Sequence, residues 1–178
     1  EVFLGSPNAW NKLYKKELLE TSGLLYPGRV WYEDIRMTVK LYLFAERVVF
    51  IEDVLYHYLI RPGSIMQNNN VERNAEIIEA FQDIVDYFRK CRRFEAFKSE
   101  LEYLCIYHLY IAAGVRVIRG NRKHRLMGEL QDYMEKTFPD FRQNPYIGRL
   151  TRNQSIIYHL LLKKRYRIIE WIFKVKSN

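Results

Sequence analysis

The segment 97–118 constrains the fold of this chain more than any other part of its sequence. Between Tyr103 and Val117 it is apolar on almost every side, and a helix of that kind has to be buried. We therefore expect it to be the most buried helix of the protein. No stretch of about 18 residues is both uncharged and apolar, so the sequence predicts no membrane-spanning helix.

Further helical patterns lie around this segment. An apolar stripe at helical spacing predicts a helix along 77–88, and its members are Ile77, Ile78, Phe81, Ile84, Val85 and Phe88. Residues 125–138 predict another helix that Pro139 ends, and Ser155 is placed to cap a last helix over 156–175. Residues 66–178 are thus predicted to form a helical domain that begins with a polar linker.

Residues 1–65 have a different pattern. Two amphipathic stretches, 11–22 and 33–45, predict helices, whereas Val2–Leu4 and the runs 48–51 and 55–60 predict strands. The fold class predicted for the whole chain is therefore mostly α, with a small α/β piece at the N-terminus and a helical bundle after it.

Two short motifs in the first 65 residues carry groups that could do chemistry. Glu33 and Asp34 open a predicted helix, a position that acids often occupy because they interact favourably with the helix dipole. Arg61 and Ser64 flank a Pro-Gly turn, and a guanidinium near a flexible glycine suits a diphosphate. Taken singly, the first motif is more simply a helix terminus and the second a charged turn.

The order of the motifs along the chain is more informative than any one of them alone. The chain contains Trp-Asn-Lys-Leu-Tyr-Lys at 10–15, Gly23, an aromatic-Glu-Asp triplet at 32–34, an amphipathic helix, a predicted strand, and Tyr-x-Tyr-x-x-Arg-Pro-Gly-Ser-Ile at 56–65. In this order they resemble the C-terminal part of a bacterial family-two glycosyltransferase of the GT-A fold. The division that follows is 1–65 as the acceptor side of a catalytic domain and 66–178 as a helical C-terminal domain.

The resemblance implies a role for each motif. Asp34 would be the general base that takes a proton from the acceptor hydroxyl, with Glu33 in support. The implied diphosphate contacts are Arg61, Ser64 and, more weakly, His57. Trp10, Trp31 and Tyr32 would line the acceptor side by stacking on a sugar, although core packing explains these aromatic residues as well.

The resemblance also implies a nucleotide-sugar donor, a polysaccharide or lipid-linked acceptor, and inverting transfer in the synthesis of cell-surface polysaccharide. The nucleotide-binding half of such enzymes, with the Asp-x-Asp motif that holds Mg²⁺ or Mn²⁺, has no counterpart in this sequence. We therefore expect a fragment that is inactive alone and binds no metal itself. An edge left open by the missing half would favour a homodimer.

The positive charge of the chain is concentrated at its C-terminal end. The net charge is +8, and residues 149–178 contribute eight Lys and Arg against the single acid Glu170. Basic and apolar residues alternate over 156–175 at helical spacing, which suits either a bundle helix with a Lys-rich face or peripheral contact with the inner face of a cell membrane. Aromatic residues do not interleave with the cations as a nucleic-acid groove requires, so nucleic acid is not expected.

An alternative to the transferase is a helical binding module whose basic amphipathic face contacts an anionic membrane or a protein partner. In that case Asp34 is a helix cap and residues 1–65 are only structural. Cys91 and Cys105 have no metal-type spacing and predict two buried free thiols, as expected in the cytoplasm.

Overall fold

The computed structural model describes residues 2–59 and 71–175, and within those ranges the chain is mostly helical and contains no β-strand. The α-helices are α1 (Lys16–Ser22), α2 (Glu33–Leu41), α3 (Glu76–Lys90), α4 (Phe94–Asn121), α5 (Leu126–Thr137), α6 (Arg152–Leu162) and α7 (Tyr166–Val175). Short 3₁₀ turns occupy Val2–Leu4, Glu72–Ala75, Phe141–Gln143 and Ile147–Arg149.

Helix α4 is the centre of the fold, as its sequence predicts. It runs without a break through a π-helical stretch, Cys105–Ala113, and Leu101, Cys105, Ile106 and Leu109 are fully buried within it. Among the described helices, α4 is long and apolar enough to cross a bilayer, which the sequence analysis did not anticipate. However, 72% of its most apolar stretch is buried inside the protein, and the core helix of a bundle has the same length and composition.

The predicted stripe on α3 is confirmed. Ile77, Phe81, Ile84, Val85 and Phe88 are at most 1% exposed, because the amphipathic helix buries this face against α2 and α4. Ile78 is half-buried at the edge of the stripe.

Residues before and after the 60–70 segment share one hydrophobic core. Ile35 and Val39 on α2 pack with the α3 stripe, and Lys40 of α2 forms an ion pair with Asp83 of α3. Phe3 inserts beside Phe88 at a ring-centroid distance of 5.9 Å. The predicted boundary at residue 65 lies outside the described residues, so the two-domain division stays a prediction.

The predicted α/β piece is not seen in the described residues. Val2–Leu4 forms a 3₁₀ turn, and 45–59 has no regular secondary structure; Ile60, at the end of the second predicted strand, lies outside the described range. In the same region, the predicted helix at 11–22 begins only at Lys16, and the one at 33–45 ends at Leu41. Phe50 and Val54 are 81% and 77% exposed, because no strand or helix within residues 2–59 and 71–175 covers them.

The last predicted helix is two helices. Thr151, rather than Ser155, caps α6: its hydroxyl accepts the Gln154 N–H while the Gln154 side chain accepts the Thr151 N–H. Lys164 has a φ of 52°, and this left-handed residue ends α6 with a bond from the Arg165 N–H to the Leu160 carbonyl. The chain then turns into α7.

A buried polar contact fixes the loop between α5 and α6 against α4. The side-chain amide of Asn144 donates to the Ser99 carbonyl at 2.8 Å and to a Glu102 carboxylate oxygen at 2.6 Å. Burial raises the pKa of Glu102, and the bond from Asn144 opposes this rise.

We expect Asn144→Ala to lower the free energy of unfolding by about 2 kcal/mol, because it leaves a buried acceptor unpaired. Urea denaturation measures the change, and Asn153→Ala, at an exposed position of α6, is the control. Equal denaturation midpoints for the two variants would show that the Asn144 contact does not hold the loop.

Candidate functional site

The Glu33-Asp34 pair lies in the first turn of α2, as predicted, and an unusual backbone conformation sets the start of that helix. Tyr32 has a φ of 64°, in the left-handed region that a bulky side chain rarely adopts. A residue held there costs on the order of 1–3 kcal/mol, so surrounding contacts must compensate.

Those contacts come from the helical part of the chain. The Tyr32 hydroxyl donates to the Asn74 side-chain oxygen and accepts from the Arg116 guanidinium, both at 2.9 Å. The Trp31 backbone N–H donates to a Glu76 carboxylate oxygen at 2.6 Å. Side chains from the start of α3 and from α4 therefore fix the position of Asp34.

Glu76 receives a second charged partner. Arg73 donates to its other carboxylate oxygen at 2.8 Å and lies over the Trp31 ring at 4.9 Å from the centroid. Burial by itself would raise the pKa of Glu76, but the bonds from Arg73 and the Trp31 N–H outweigh it and hold that pKa below its ordinary value. The carboxylate is thus ionised while it anchors the loop.

Asp34 is partly buried, and burial is the main reason that its pKa is raised. The neighbouring Glu33 carboxylate, which is exposed, raises the pKa further. Two groups lower the pKa of Asp34. The Ile35 N–H donates to an Asp34 carboxylate oxygen at 2.8 Å, and the Lys12 ammonium lies nearby. A carboxylate with a raised pKa is a stronger proton acceptor than an exposed one.

Lys12 is a neighbour of Asp34 that the sequence analysis did not single out. Its ammonium donates to the Asn8 carbonyl at 2.8 Å, to the Asn11 side-chain oxygen at 2.7 Å and to the Ser6 carbonyl. Burial lowers the pKa of Lys12, and the charge of Asp34 acts in the opposite direction. The available signal was its place inside the Trp-Asn-Lys-Leu-Tyr-Lys motif.

Two tyrosines, Tyr14 and Tyr26, complete the surroundings of Asp34, and no sequence motif points to either as a site residue. The Tyr14 hydroxyl is 3.3 Å from the Thr38 hydroxyl on α2. Burial raises the pKa of Tyr26, as do, to a smaller extent, the charges of Tyr14 and Asp34. The N-terminal segment thus places the Tyr14 hydroxyl beside α2, about one turn beyond the Asp34 carboxylate.

The three predicted acceptor aromatics lie in different environments. Trp31 is 8% exposed and Tyr32 uses its hydroxyl internally, whereas Trp10 is 43% exposed. The Trp10 ring stacks on Tyr56 at 5.1 Å between centroids and lies tilted against Tyr58 at 5.3 Å. Trp10 is therefore the predicted acceptor residue with a ring accessible to a ligand.

Trp10, Lys12 and Tyr56 line an open groove of about 1310 Å³ between the N-terminal segment and 41–56. His57 follows Tyr56 and is exposed. Arg61 and Ser64, the predicted diphosphate contacts, lie outside the described residues. In residues 2–59 and 71–175, no three His, Cys, Asp or Glu side chains come close enough to hold a metal ion.

The two predicted buried thiols are confirmed only for Cys105. Burial raises its pKa well above the ordinary value, whereas Cys91 follows the end of α3 and is exposed.

We expect Tyr32→Phe to lower the free energy of unfolding by about 2 kcal/mol, since it removes a partner from the Arg116 guanidinium but leaves the strained backbone in place. Chemical denaturation measures this, with Tyr56→Phe on an exposed ring as the control. If Tyr32→Phe behaved like Tyr56→Phe, the hydroxyl contacts would not be what holds the loop.

Comparison with known proteins gives one distant likeness. The chain is 24% identical over 103 residues to the protein named "Putative glycosyltransferase EpsH" of Bacillus subtilis (strain 168). The match covers 56% of this chain but only 30% of the length of that relative. No protein-family model matches the chain, and no solved structure does. The likeness supports a relationship to glycosyltransferases at this general level.

Proposed function

We propose that this chain is the acceptor side of an inverting glycosyltransferase that moves a sugar from a nucleotide-sugar donor to a polysaccharide or lipid-linked acceptor. The observation that supports this most is the partly buried Asp34 carboxylate, with its raised pKa, in the first turn of α2. The distant relative named as a glycosyltransferase is compatible with glycosyl transfer in general.

In the proposed reaction Asp34 accepts the proton of the acceptor hydroxyl. The oxygen of that hydroxyl forms a bond to the anomeric carbon, and the bond from this carbon to the diphosphate breaks on the opposite face, which inverts the configuration. Glu33 keeps the proton on Asp34 by adding a second negative charge nearby. The Lys12 ammonium lowers the pKa of Asp34 and so favours its ionised form, which is the form that accepts a proton.

The acceptor roles divide according to exposure. Trp10, with Tyr56 and Tyr58 behind it, offers an accessible ring face in the groove for a sugar to stack on. Trp31 and Tyr32 hold the loop in front of Asp34 instead of contacting the acceptor.

The donor side of the proposal rests on the resemblance alone. Arg61, Ser64 and His57 are proposed to contact the diphosphate. By the same resemblance, the nucleotide and a Mg²⁺ or Mn²⁺ ion are proposed to bind a unit outside this sequence. No step assigned to Asp34 depends on that ion.

The test measures release of nucleoside diphosphate from UDP-, GDP- and CDP-sugars by the complete protein that contains this sequence, with Mn²⁺ present. Asp34→Asn is expected to reduce the rate by about 10²–10⁴-fold, because the amide cannot accept the proton. Asp132→Asn makes the same chemical change at an exposed position of α5 and should leave the rate unchanged.

The same variants separate a catalytic role from a structural one. Since the pKa of Asp34 is raised in the folded state, its ionised form is disfavoured by folding, and stability is lost as the pH rises through that pKa. Asp34→Asn should therefore be at least as stable as the wild type at neutral pH. An active Asp34→Asn protein would refute the general base, and a destabilised one would make Asp34 a helix cap.

A further inference from the structure

Helix α7 leaves an apolar stripe uncovered. Ile168, Trp171 and Val175 are 46%, 64% and 57% exposed, although their side chains are apolar. At about 100° per residue, these three positions lie within about 60° of one another around the helix. They form one continuous surface, which we call the α7 stripe.

The opposite side of α7 is fixed to the bundle. Ile169 is fully buried, and Phe173 lies beside the Arg119 guanidinium at 5.6 Å from its ring centroid. Glu170 accepts from Arg122 at 2.9 Å. Because these contacts come from the end of α4, the α7 stripe is held facing away from the core.

Cations lie along one side of the stripe and at its N-terminal end. Arg167 and Lys174 are exposed and lie along one side of it by helical spacing, and Lys163, Lys164 and Arg165 are exposed in the turn just before α7. The acid on this helix, Glu170, is neutralised by Arg122 and by Lys174, which is 3.1 Å away. Cations at a helix N-terminus oppose the helix dipole, so Arg165 and Arg167 do not serve the stability of α7.

We propose that α7 binds the surface of an anionic lipid bilayer, with the α7 stripe in the headgroup region and these cations on the lipid phosphates. A tryptophan among aliphatic residues suits the boundary between headgroups and acyl chains, and the cations add attraction to anionic lipids. This proposal is independent of the glycosyltransferase assignment.

Charge argues against a second copy of this chain as the occupant, and the arrangement of the side chains argues against a nucleic acid. A second copy docked through this face would bring two sets of Lys and Arg together, which is repulsive. A nucleic acid would gain from the cations, but Trp171 stands among aliphatic side chains instead of forming a stacking groove with them.

The exposed apolar segment 48–59 lacks the accompanying cations that would suit an anionic membrane. Phe50 and Val54 are more exposed than Trp171, but Glu46, Glu52 and Asp53 accompany them with only Arg47 in return. An anionic membrane would repel those carboxylates. This segment therefore supplies a matched comparison for the α7 stripe.

The experiment is co-sedimentation of the 178-residue chain with vesicles of phosphatidylcholine, either pure or containing about one third phosphatidylglycerol. We expect binding to the anionic vesicles only, and weaker binding at high salt. Ile168→Ser with Trp171→Ser should reduce the partition coefficient at least about tenfold. Arg165→Gln with Arg167→Gln should reduce it by about tenfold as well.

Two further variants control for general effects. Phe50→Ser with Val54→Ser removes the same number of exposed apolar side chains elsewhere and should bind as the wild type does. Trp171→Phe should keep the binding but lose the quenching of tryptophan fluorescence by brominated lipid, which places the residue at the bilayer. Circular dichroism checks that each variant is folded.

Several results would overturn the proposal. The first two are no binding to anionic vesicles and equal binding to both vesicle types. The third is loss of binding in Phe50→Ser with Val54→Ser but not in Ile168→Ser with Trp171→Ser or Arg165→Gln with Arg167→Gln. A dimer that dissociates on Ile168→Ser with Trp171→Ser would assign the stripe to a second copy. Tighter binding to DNA that is unaffected by this double change would assign the cations to nucleic acid.

Discussion

The contact between the Tyr32 loop and the helical bundle is the constraint on which the candidate site depends. Tyr32 has a left-handed backbone conformation at the start of α2, and Asn74 and Arg116 bind its hydroxyl. Glu76 holds the preceding residue through the Trp31 N–H. The orientation of the first turn of α2, and therefore of Asp34, is set by residues more than forty positions away.

The helical part of the fold could be predicted because its signals are periodic and continuous. The stripe on α3 and the apolar surface of α4 each require burial, whatever the rest of the chain does. The split between α6 and α7 could not be predicted in the same way. Lys164 has the left-handed conformation that ends α6, and only a glycine at that position would have signalled a helix end in the sequence. The Thr151-x-x-Gln154 capping box is the sequence signal that marks the true start of α6.

Strand propensity misled the prediction at 48–59 for a physical reason. β-Branched and aromatic residues favour a strand when a neighbouring strand pairs with them and a core covers one face. In the described residues neither is present, and Phe50 and Val54 are exposed. For the site, the resemblance to a glycosyltransferase family selected Glu33, Asp34 and Trp10. Lys12, Glu76 and Arg116 act across long separations that periodicity does not encode.

The proposed functions use two separate surfaces of one core. Asp34 and the Trp10 groove belong to the N-terminal segment, whereas the α7 stripe is at the other end of the chain, fixed by Arg119 and Arg122. Helix α4 connects them, since Arg116 binds Tyr32 and the last turn of the same helix supports α7. A lipid-linked acceptor would have to extend from the membrane bound at the α7 stripe to Asp34 and the Trp10 groove.

The proposed mechanism requires that the fold hold Asp34 as a partly buried carboxylate with a raised pKa. Its pKa can be measured directly by following the side-chain carboxyl ¹³C resonance through a pH titration, with the Asp34→Asn protein used to assign the signal. We expect a pKa above the ordinary value for aspartate. A value at or below the ordinary one would mean that Asp34 is a solvated or ion-paired helix cap, and the proposed general base would have to be abandoned.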